Sequence, residues 1–255
     1  MSSSLSLTVL PDFPLVEPGD DLAELIVRCC EQADMSLQDG DVLALAQKIV
    51  SKAENRYAYF NDVEPSEAAL KLASETAKDP RQVELILRES NEVVRQRPGA
   101  IIVEHREGYV HANAGIDASN IHSDPDNPRV LLLPKDSNAS SRALRNALRE
   151  RLGVNLNILI NDSAGRAWRN GTCGFALGSA GFEALVSRIG DADLYGRPLE
   201  ITQIGVADEL AAAASFLMGQ ADEGAPVVLI RGAELRPSEQ GCETLIRPRS
   251  EDMFR

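Results

Sequence analysis

The segment "DVLALAQKIVSKAE", Asp41 to Glu54, indicates the fold class of this chain. It begins with an apolar run from Val42 to Ala46, which is typical of a strand buried within a sheet. Polar side chains follow where that strand ends, namely Gln47, Lys48, Ser51 and Lys52. Because α/β proteins tend to build ligand sites on the loops at strand ends, this order predicts an α/β fold with a binding site beside the two lysines.

Outward from this segment, strand and helix patterns alternate without repeats. A helix is predicted from Asp21, whose spacing to Glu24 matches a capping box. A second helix is predicted over "DPRQVELILRESNEVVRQRPG", residues 79–99, with Asp79 as N-cap and Pro98 and Gly99 as its end. The remaining predictions are strands at 100–105, 108–112, 129–134, 154–162 and 225–232, a helix at 137–153, and a nearly all-apolar, buried helix at 206–220.

Composition limits the class of protein. With 255 residues, 44% of them hydrophobic and 25% charged, the chain can bury a core as an ordinary globular enzyme does. The net charge of −13 argues against a general nucleic-acid binder, which needs a basic surface for phosphates. No signal peptide or membrane-spanning run is recognisable, so we expect a cytoplasmic protein. The four cysteines show no metal-binding spacing, which favours buried free thiols.

The common phosphate-binding motifs are absent, since neither GxxxxGK[ST] nor a GxGxxG between strand and helix occurs, and no GxSxG nucleophile elbow is present. Two acidic loops remain. Asp117 lies in "NAGIDASN", and Asp162 with Ser163 lies in "NDSAGR" at the predicted end of a strand. Their hard oxygen atoms suit Mg²⁺ or Mn²⁺. The alternative is that both aspartates only accept turn hydrogen bonds from nearby backbone N–H groups.

Two further features surround these loops. The segment 163–182 carries five glycines, so we expect its backbone to turn sharply and approach a ligand closely. Four cations, at Lys48, Lys52, Arg166 and Arg169, are candidates to contact phosphate groups. Solvation at the surface is the alternative for each of them.

Seven blocks, in order from about Pro11 to Gly232, resemble the coenzyme F420-0:L-glutamate ligase family, the gamma-glutamyl ligases of the deazaflavin coenzyme F420. They are "FPLVEPGDDLAELI", "GDVLALAQKIVSKAENR", "NAGIDASN", "NDSAGRAWRNG", "GFALGSAG", "ADELAAAASFLMGQ" and "PVVLIRG". The resemblance implies a GTP-dependent ligase that adds L-glutamate to F420-0 through an acyl phosphate, with Mg²⁺ or Mn²⁺ and K⁺ assisting. The alternatives are a paralogous ligase for another acid and amine, and a non-catalytic nucleotide-binding protein.

The resemblance also implies an unusual α/β (α+β) fold of two lobes, neither Rossmann nor P-loop, that forms a homodimer. Residues 1–255 would form one such unit with a polar tail from about 233. Some actinobacterial relatives carry an additional flavin-binding reductase-like domain, for which this tail is too short, so we expect the stand-alone form.

Site residues follow from the same resemblance. A divalent metal would bind Asp117, Asp162 and Ser163, where Ser163 replaces the usual Thr. The nucleotide would lie near Phe13, Pro14, Leu15, Val16, Lys48, Lys52, Asn120 and Gln220. Asp117, Asp162 and Lys52 would be the catalytic residues. One departure from the family pattern is His111, at a position where Cys or another small residue is common.

Overall fold

The computed structural model describes residues 4–253. Six α-helices are present in this range: α1 Leu22–Gln32, α2 Gln47–Ala53, α3 Glu67–Thr76, α4 Pro80–Arg88, α5 Ser137–Leu152 and α6 Val206–Met218. Twelve strands accompany them: β1 Ser6–Val9, β2 Val42–Ala46, β3 Tyr57–Tyr59, β4 Ser90–Arg97, β5 Ala100–His105, β6 Val110–Ala112, β7 Arg129–Leu131, β8 Asn157–Arg166, β9 Arg169–Ala180, β10 Val186–Ser187, β11 Gln203–Ile204 and β12 Val227–Arg231. The predicted mixed α/β class is confirmed.

The main sheet has the strand order β1-β12-β2-β8-β9. Only β2 and β8 run parallel, and the other neighbours are antiparallel. Alternate residues of β2 enter different cores: Leu43 and Leu45 belong to the core that contains side chains of α1 and α5, whereas Val42 and Ala44 belong to the core that contains α6. Because helices cover both faces of β2, this strand reads as a continuous apolar run.

A third core lies apart from this sheet. It joins α3, α4 and the three-stranded antiparallel sheet β4-β5-β6. Side chains from the loop after β6, including Ala114 and Ile116, are buried in the same core. The loop that carries Asp117 is therefore anchored in this third core.

The prediction of one helix over 79–99 is wrong in its second half. Asp79 caps α4 as predicted, by accepting a hydrogen bond from the backbone N–H of Arg81. The helix ends at Arg88, and Ser90–Arg97 form β4, which pairs with β5. The pairing partner comes from the following hairpin strand, so tertiary contact overrides the helical pattern. Helix α3, with Ser66 as N-cap, was not predicted.

The glycine-rich segment 163–182 is not a loop. It forms the end of β8, a tight turn and β9, so Asp162 lies inside a strand and not at its end. A Cβ atom at Gly174 would lie 2.2 Å from the Ala211 carbonyl oxygen, and one at Gly178 would lie 2.2 Å from the Ser137 carbonyl oxygen. These two glycines therefore let helices α6 and α5 pack directly on the sheet.

Other predicted features are confirmed or refined. Helix α6 is buried on one face only, because Phe216 is 87% exposed. Cys29, Cys30 and Cys242 are buried free thiols as predicted, while Cys173 is half-buried. Cys242 lies in the α6 core, so the segment after Gly232 packs back onto the fold. Between residues 4 and 253, none of the helices combines the length and apolar character needed to cross a bilayer.

Candidate active site

A cavity of about 620 Å³ lies where β2 ends beside its parallel partner. Ala46, the last residue of β2, pairs with Asn161, and β8 continues beyond this point with only β9 beside it. Asp162 and Ser163 are the first residues past the end of β2, and both line the cavity. The shorter neighbour strand thus explains how two residues inside a strand come to face open space.

Five chain segments form the cavity wall. They contain residues 13–16, 46–52, 111–120, 161–163 and 215–226. All of the nucleotide and metal residues implied by the family resemblance line this one cavity: Phe13, Pro14, Leu15, Val16, Lys48, Lys52, Asn120, Gln220, Asp117, Asp162 and Ser163. Arg166 and Arg169 do not, since both are exposed on the hairpin that joins β8 to β9. Two of the four candidate cations therefore remain at the site.

The loop that holds Asp117 has an unusual backbone. Asn113, Ala114, Gly115 and Asn120 all have positive φ angles, between 52° and 69°. Gly115 is required for a second reason, because a Cβ atom there would lie 2.5 Å from Leu133 Cδ1. Backbone strain of this kind persists only where the surroundings impose it, and it concentrates at functional sites. Asp117 itself is held by two backbone hydrogen bonds to Leu131, of 3.1 and 2.8 Å.

The Asp117 carboxylate is fully engaged in the structure. It accepts hydrogen bonds from the Ser119 backbone N–H at 2.7 Å and the Ser119 hydroxyl at 2.9 Å, and it forms an ion pair with Lys48 Nζ at 2.7 Å. Burial raises the pKa of this carboxyl, but the Lys48 and Ser119 hydrogen bonds outweigh that effect and hold the pKa below its usual value. The turn hydrogen bond considered as an alternative for Asp117 is present. This hydrogen bond is compatible with metal binding, since a carboxylate can accept such a bond and still bind a cation.

Lys48 and Lys52 are one helical turn apart on α2 and so share a face. Lys52 Nζ donates to the Asn120 carbonyl oxygen at 2.9 Å, and the Asn120 side-chain amide donates to the Ala221 carbonyl oxygen at 2.9 Å. These contacts connect α2, the Asp117 loop and the segment after α6 across the cavity. Burial lowers the pKa of Lys52, with the neighbouring Lys48 adding to the effect.

Asp162 has a different environment. Its Oδ1 accepts the Ser163 backbone N–H at 2.8 Å, and its Oδ2 lies 3.4 Å from His111 Nε2. Burial lowers the pKa of His111, but the Asp162 carboxylate more than compensates and raises the pKa above its usual value. His111 received no role from the sequence. Its proximity to Asp162 depends on contact between strands of two different sheets, which no spacing in the sequence reveals.

Gln220 lies beyond the end of α6. Its side-chain amide donates to the Ser215 hydroxyl at 3.1 Å, and its carbonyl oxygen is 3.4 Å from the Thr172 hydroxyl. The same segment contributes Glu223, whose carboxylate accepts the Ala221 backbone N–H at 2.8 Å. Glu223 lines the cavity and was not predicted.

The donor atoms suit a hard divalent cation. Across residues 4–253, no three His, Cys, Asp or Glu side chains converge in a group that could hold a metal. A cation here would use Asp117 and Asp162 together with hydroxyl, amide or ligand oxygens, a donor set that Mg²⁺ and Mn²⁺ accept. Asn161 Oδ1, also in the cavity wall, is buried without a hydrogen-bond partner among the described residues. The residues present therefore fit such a cation.

Comparison with known proteins supports the resemblance. The family model described as F420-0:Gamma-glutamyl ligase matches residues 12–232. The coenzyme F420:L-glutamate ligase of Methanothermobacter thermautotrophicus is 45% identical to this chain, covering 98% of it and 99% of the relative. The enzyme of the same name from Methanopyrus kandleri is 48% identical, with 94% of this chain and 93% of the relative covered. The one from Methanocaldococcus jannaschii is 39% identical over 96% of this chain and 94% of its own length.

Proposed function

The chain belongs to the F420-0:Gamma-glutamyl ligase family, and from this premise we propose that it is a GTP-dependent ligase that joins L-glutamate to the deazaflavin precursor F420-0. One observation carries the proposal. Two lysines of one helix and two aspartates from two other segments meet in a single cavity, as a reaction between a triphosphate and a carboxylate requires. The volume of about 620 Å³ is within the usual range for small-molecule sites.

The proposed chemistry begins with an unreactive carboxylate. At neutral pH a carboxylate does not react with an amine, so an oxygen of the precursor carboxylate attacks the γ-phosphorus of GTP and GDP leaves. The glutamate amine then attacks the carbonyl carbon of the acyl phosphate, inorganic phosphate leaves, and the nitrogen loses its proton. Phosphoryl transfer is accelerated chiefly by positioning and by positive charge around the transferred group.

Lys48 and Lys52 would supply that charge from this chain. Both ammonium groups reach the cavity from one face of α2, and Lys52 is already oriented by the Asn120 carbonyl oxygen. Lys48 balances Asp117 in the structure, so we propose that nucleotide phosphates take Lys48 as a partner while Asp117 turns to the cation. The charges of Lys48 and Asp117 are then balanced both in the protein without ligands and in the complex with nucleotide and cation.

Asp117, Asp162 and the Ser163 hydroxyl would hold the divalent cation, Mg²⁺ or Mn²⁺, with K⁺ as a further assistant. A bound divalent cation supplies positive charge that stabilises the phosphoryl group during transfer. The segment 13–16 would contact the nucleotide, because buried Phe13 and Val16 anchor it while Leu15 is 87% exposed. Asn120 and Gln220 line the same space and offer amide groups.

A homodimer is proposed from a separate surface. The segment 186–204 contains β10 and β11 and exposes four large apolar side chains, at Ile189, Leu194, Tyr195 and Ile201. Several large apolar side chains exposed on one short segment favour an association site, because a partner would remove them from water. Replacing Leu194 and Ile201 together by Asp should convert a dimer to a monomer in light scattering, whereas Leu70→Asp, at an exposed leucine of α3, should not. A wild-type protein that is monomeric at all concentrations would contradict this proposal.

Mass spectrometry tests the reaction itself. Purified protein with GTP, Mn²⁺, L-glutamate and F420-0 should yield a product heavier by one glutamyl residue, with GDP released over many turnovers only when both acceptor and amine are present. GDP release with a different acid or amine would indicate a paralogous ligase. Nucleotide binding without any turnover would indicate a non-catalytic protein and would refute the proposal.

A further inference from the structure

His111 places a buried ring nitrogen in the cavity wall, next to Asp162. The residue is 9% exposed, lines the cavity from β6, and its Nε2 has no hydrogen-bond partner among residues 4–253. Nε2 lies 3.4 Å from Asp162 Oδ2, without the alignment of a hydrogen bond. Burying a polar atom without a partner is costly, so an unpaired nitrogen here calls for an explanation.

The other ring nitrogen determines what Nε2 can do. His111 Nδ1 is 3.0 Å from the Ala112 carbonyl oxygen, and because a carbonyl only accepts hydrogen bonds, Nδ1 carries the proton. In the neutral imidazole, Nε2 then presents a lone pair towards the carboxylate of Asp162. Two lone pairs that face each other at this distance repel, so the space between Nε2 and Oδ2 suits a positive centre, which is a proton in the ion pair without metal and a divalent cation when one is bound. A histidine that ligates a metal typically donates its other N–H to a carbonyl or carboxylate in this way.

The separation fits two ligands of one ion. Ligands at about 2.1 Å from a metal are about 3.0 Å apart in adjacent octahedral positions and about 3.4 Å apart in a tetrahedral site. The Nε2–Oδ2 distance of 3.4 Å is consistent with this range. Tyr109 and Phe175 make edge contacts with the imidazole, each with ring centroids 6.4 Å apart, and hold its orientation.

We propose that His111 Nε2 is a nitrogen ligand of the divalent cation, bound alongside Asp162, and that it biases this chain towards transition-metal ions over Mg²⁺. The inference rests on the proposed function, which places a cation at Asp162. Imidazole binds borderline ions such as Co²⁺ well, whereas Mg²⁺ prefers oxygen and gains little from nitrogen over water. The benefit of His111 should therefore increase from Mg²⁺ through Mn²⁺ to Co²⁺.

Calorimetric titration with each of the three ions, in the presence of GDP, tests this selectivity. In His111→Ala, the Kd for Co²⁺ should rise roughly tenfold or more, as expected when a ligand shell is disturbed, while the Kd for Mg²⁺ should change less than about threefold. His111→Phe keeps an aromatic ring in the pocket and should behave like His111→Ala. The matched control His122→Ala removes an exposed imidazole outside the cavity and should bind all three ions as the wild type does.

A spectroscopic readout decides the question without any variant. Electron spin echo modulation of Mn²⁺ bound to wild-type protein should show nitrogen coupling that changes when histidine alone is labelled with ¹⁵N. Absence of this coupling, or equal metal affinities in wild type and His111→Ala, would overturn the inference. Amide-bond formation tests the proposed function independently. Turnover by the wild-type protein with any divalent ion supports that function even if His111 proves not to be a metal ligand.

Discussion

Replacement of Asp117 by Asn separates the two roles that its carboxylate has in this structure. The substitution preserves the shape of the side chain, and one oxygen can still accept the Ser119 backbone N–H. It removes the negative charge that pairs with Lys48 and one of the two acceptor oxygens. The variant should therefore be less stable without ligands and should also lose metal-dependent nucleotide binding.

The expected loss of stability is modest. A hydrogen bond to a charged group contributes about 1.5–3 kcal/mol to stability when it is shielded from water. The Lys48 and Asp117 side chains are 24% and 39% exposed, so their pair contributes less. Solvent screening reduces such a pair towards the range of about 0.2–1 kcal/mol found at surfaces. Adding the weakened Ser119 hydroxyl contact gives about 1–2 kcal/mol for Asp117→Asn in the absence of metal. Asp162→Asn should cost less, because among residues 4–253 the Asp162 carboxylate accepts one short hydrogen bond, from Ser163, and its contact with His111 is longer, at 3.4 Å.

Urea denaturation in the presence of a chelator measures the first effect, and melting with GDP and excess Mn²⁺ measures the second. Wild-type protein should gain stability from GDP and Mn²⁺ together, and both Asn variants should lose most of that gain. If Asp117→Asn matches the wild type in chelator, the observed contacts contribute no net stability. If it keeps the full gain from GDP and Mn²⁺, Asp117 is not a ligand of the metal-bound nucleotide.

Three further predictions concern nucleotide binding, packing and pH. Lys52→Ala should weaken GTP binding in a calorimetric titration without lowering the melting temperature appreciably, whereas Lys71→Ala, on the exposed face of α3, should change neither. Gly174→Ala should cost about 1–3 kcal/mol in denaturant titration, because its Cβ would collide with the Ala211 carbonyl oxygen, and Gly165→Ala, which meets open space in the same hairpin, should cost far less. Burial lowers the pKa of His105 from 6.5 to about 4, so between these values the unfolded chain binds a proton that the folded protein does not. Stability should therefore fall as the pH drops from about 6.5 to about 4, by on the order of 3 kcal/mol, and a His105→Phe variant that keeps the same pH dependence would contradict this assignment.

Local signals in the sequence predicted the elements that rest on local causes. The N-caps at Asp21 and Asp79 and the buried runs of β2 and β12 are all present as expected. These features depend on a residue and its near neighbours, so their pattern can be recognised in the chain alone. The family resemblance, read from seven ordered blocks, also named eleven residues that line one cavity.

Tertiary structure alone decided the rest. Residues 90–97 became a strand because β5 lies beside them, and Gly174 and Gly178 serve helix packing because α6 and α5 press on the sheet. Asp162 faces the cavity because the last residue pair between β2 and β8 is Ala46–Asn161, just before it. His111 approaches Asp162 from a strand of another sheet. Apart from the β4–β5 hairpin, whose two strands follow each other in sequence, these outcomes depend on groups far apart in sequence. No local pattern encodes which distant strand or helix supplies the neighbour.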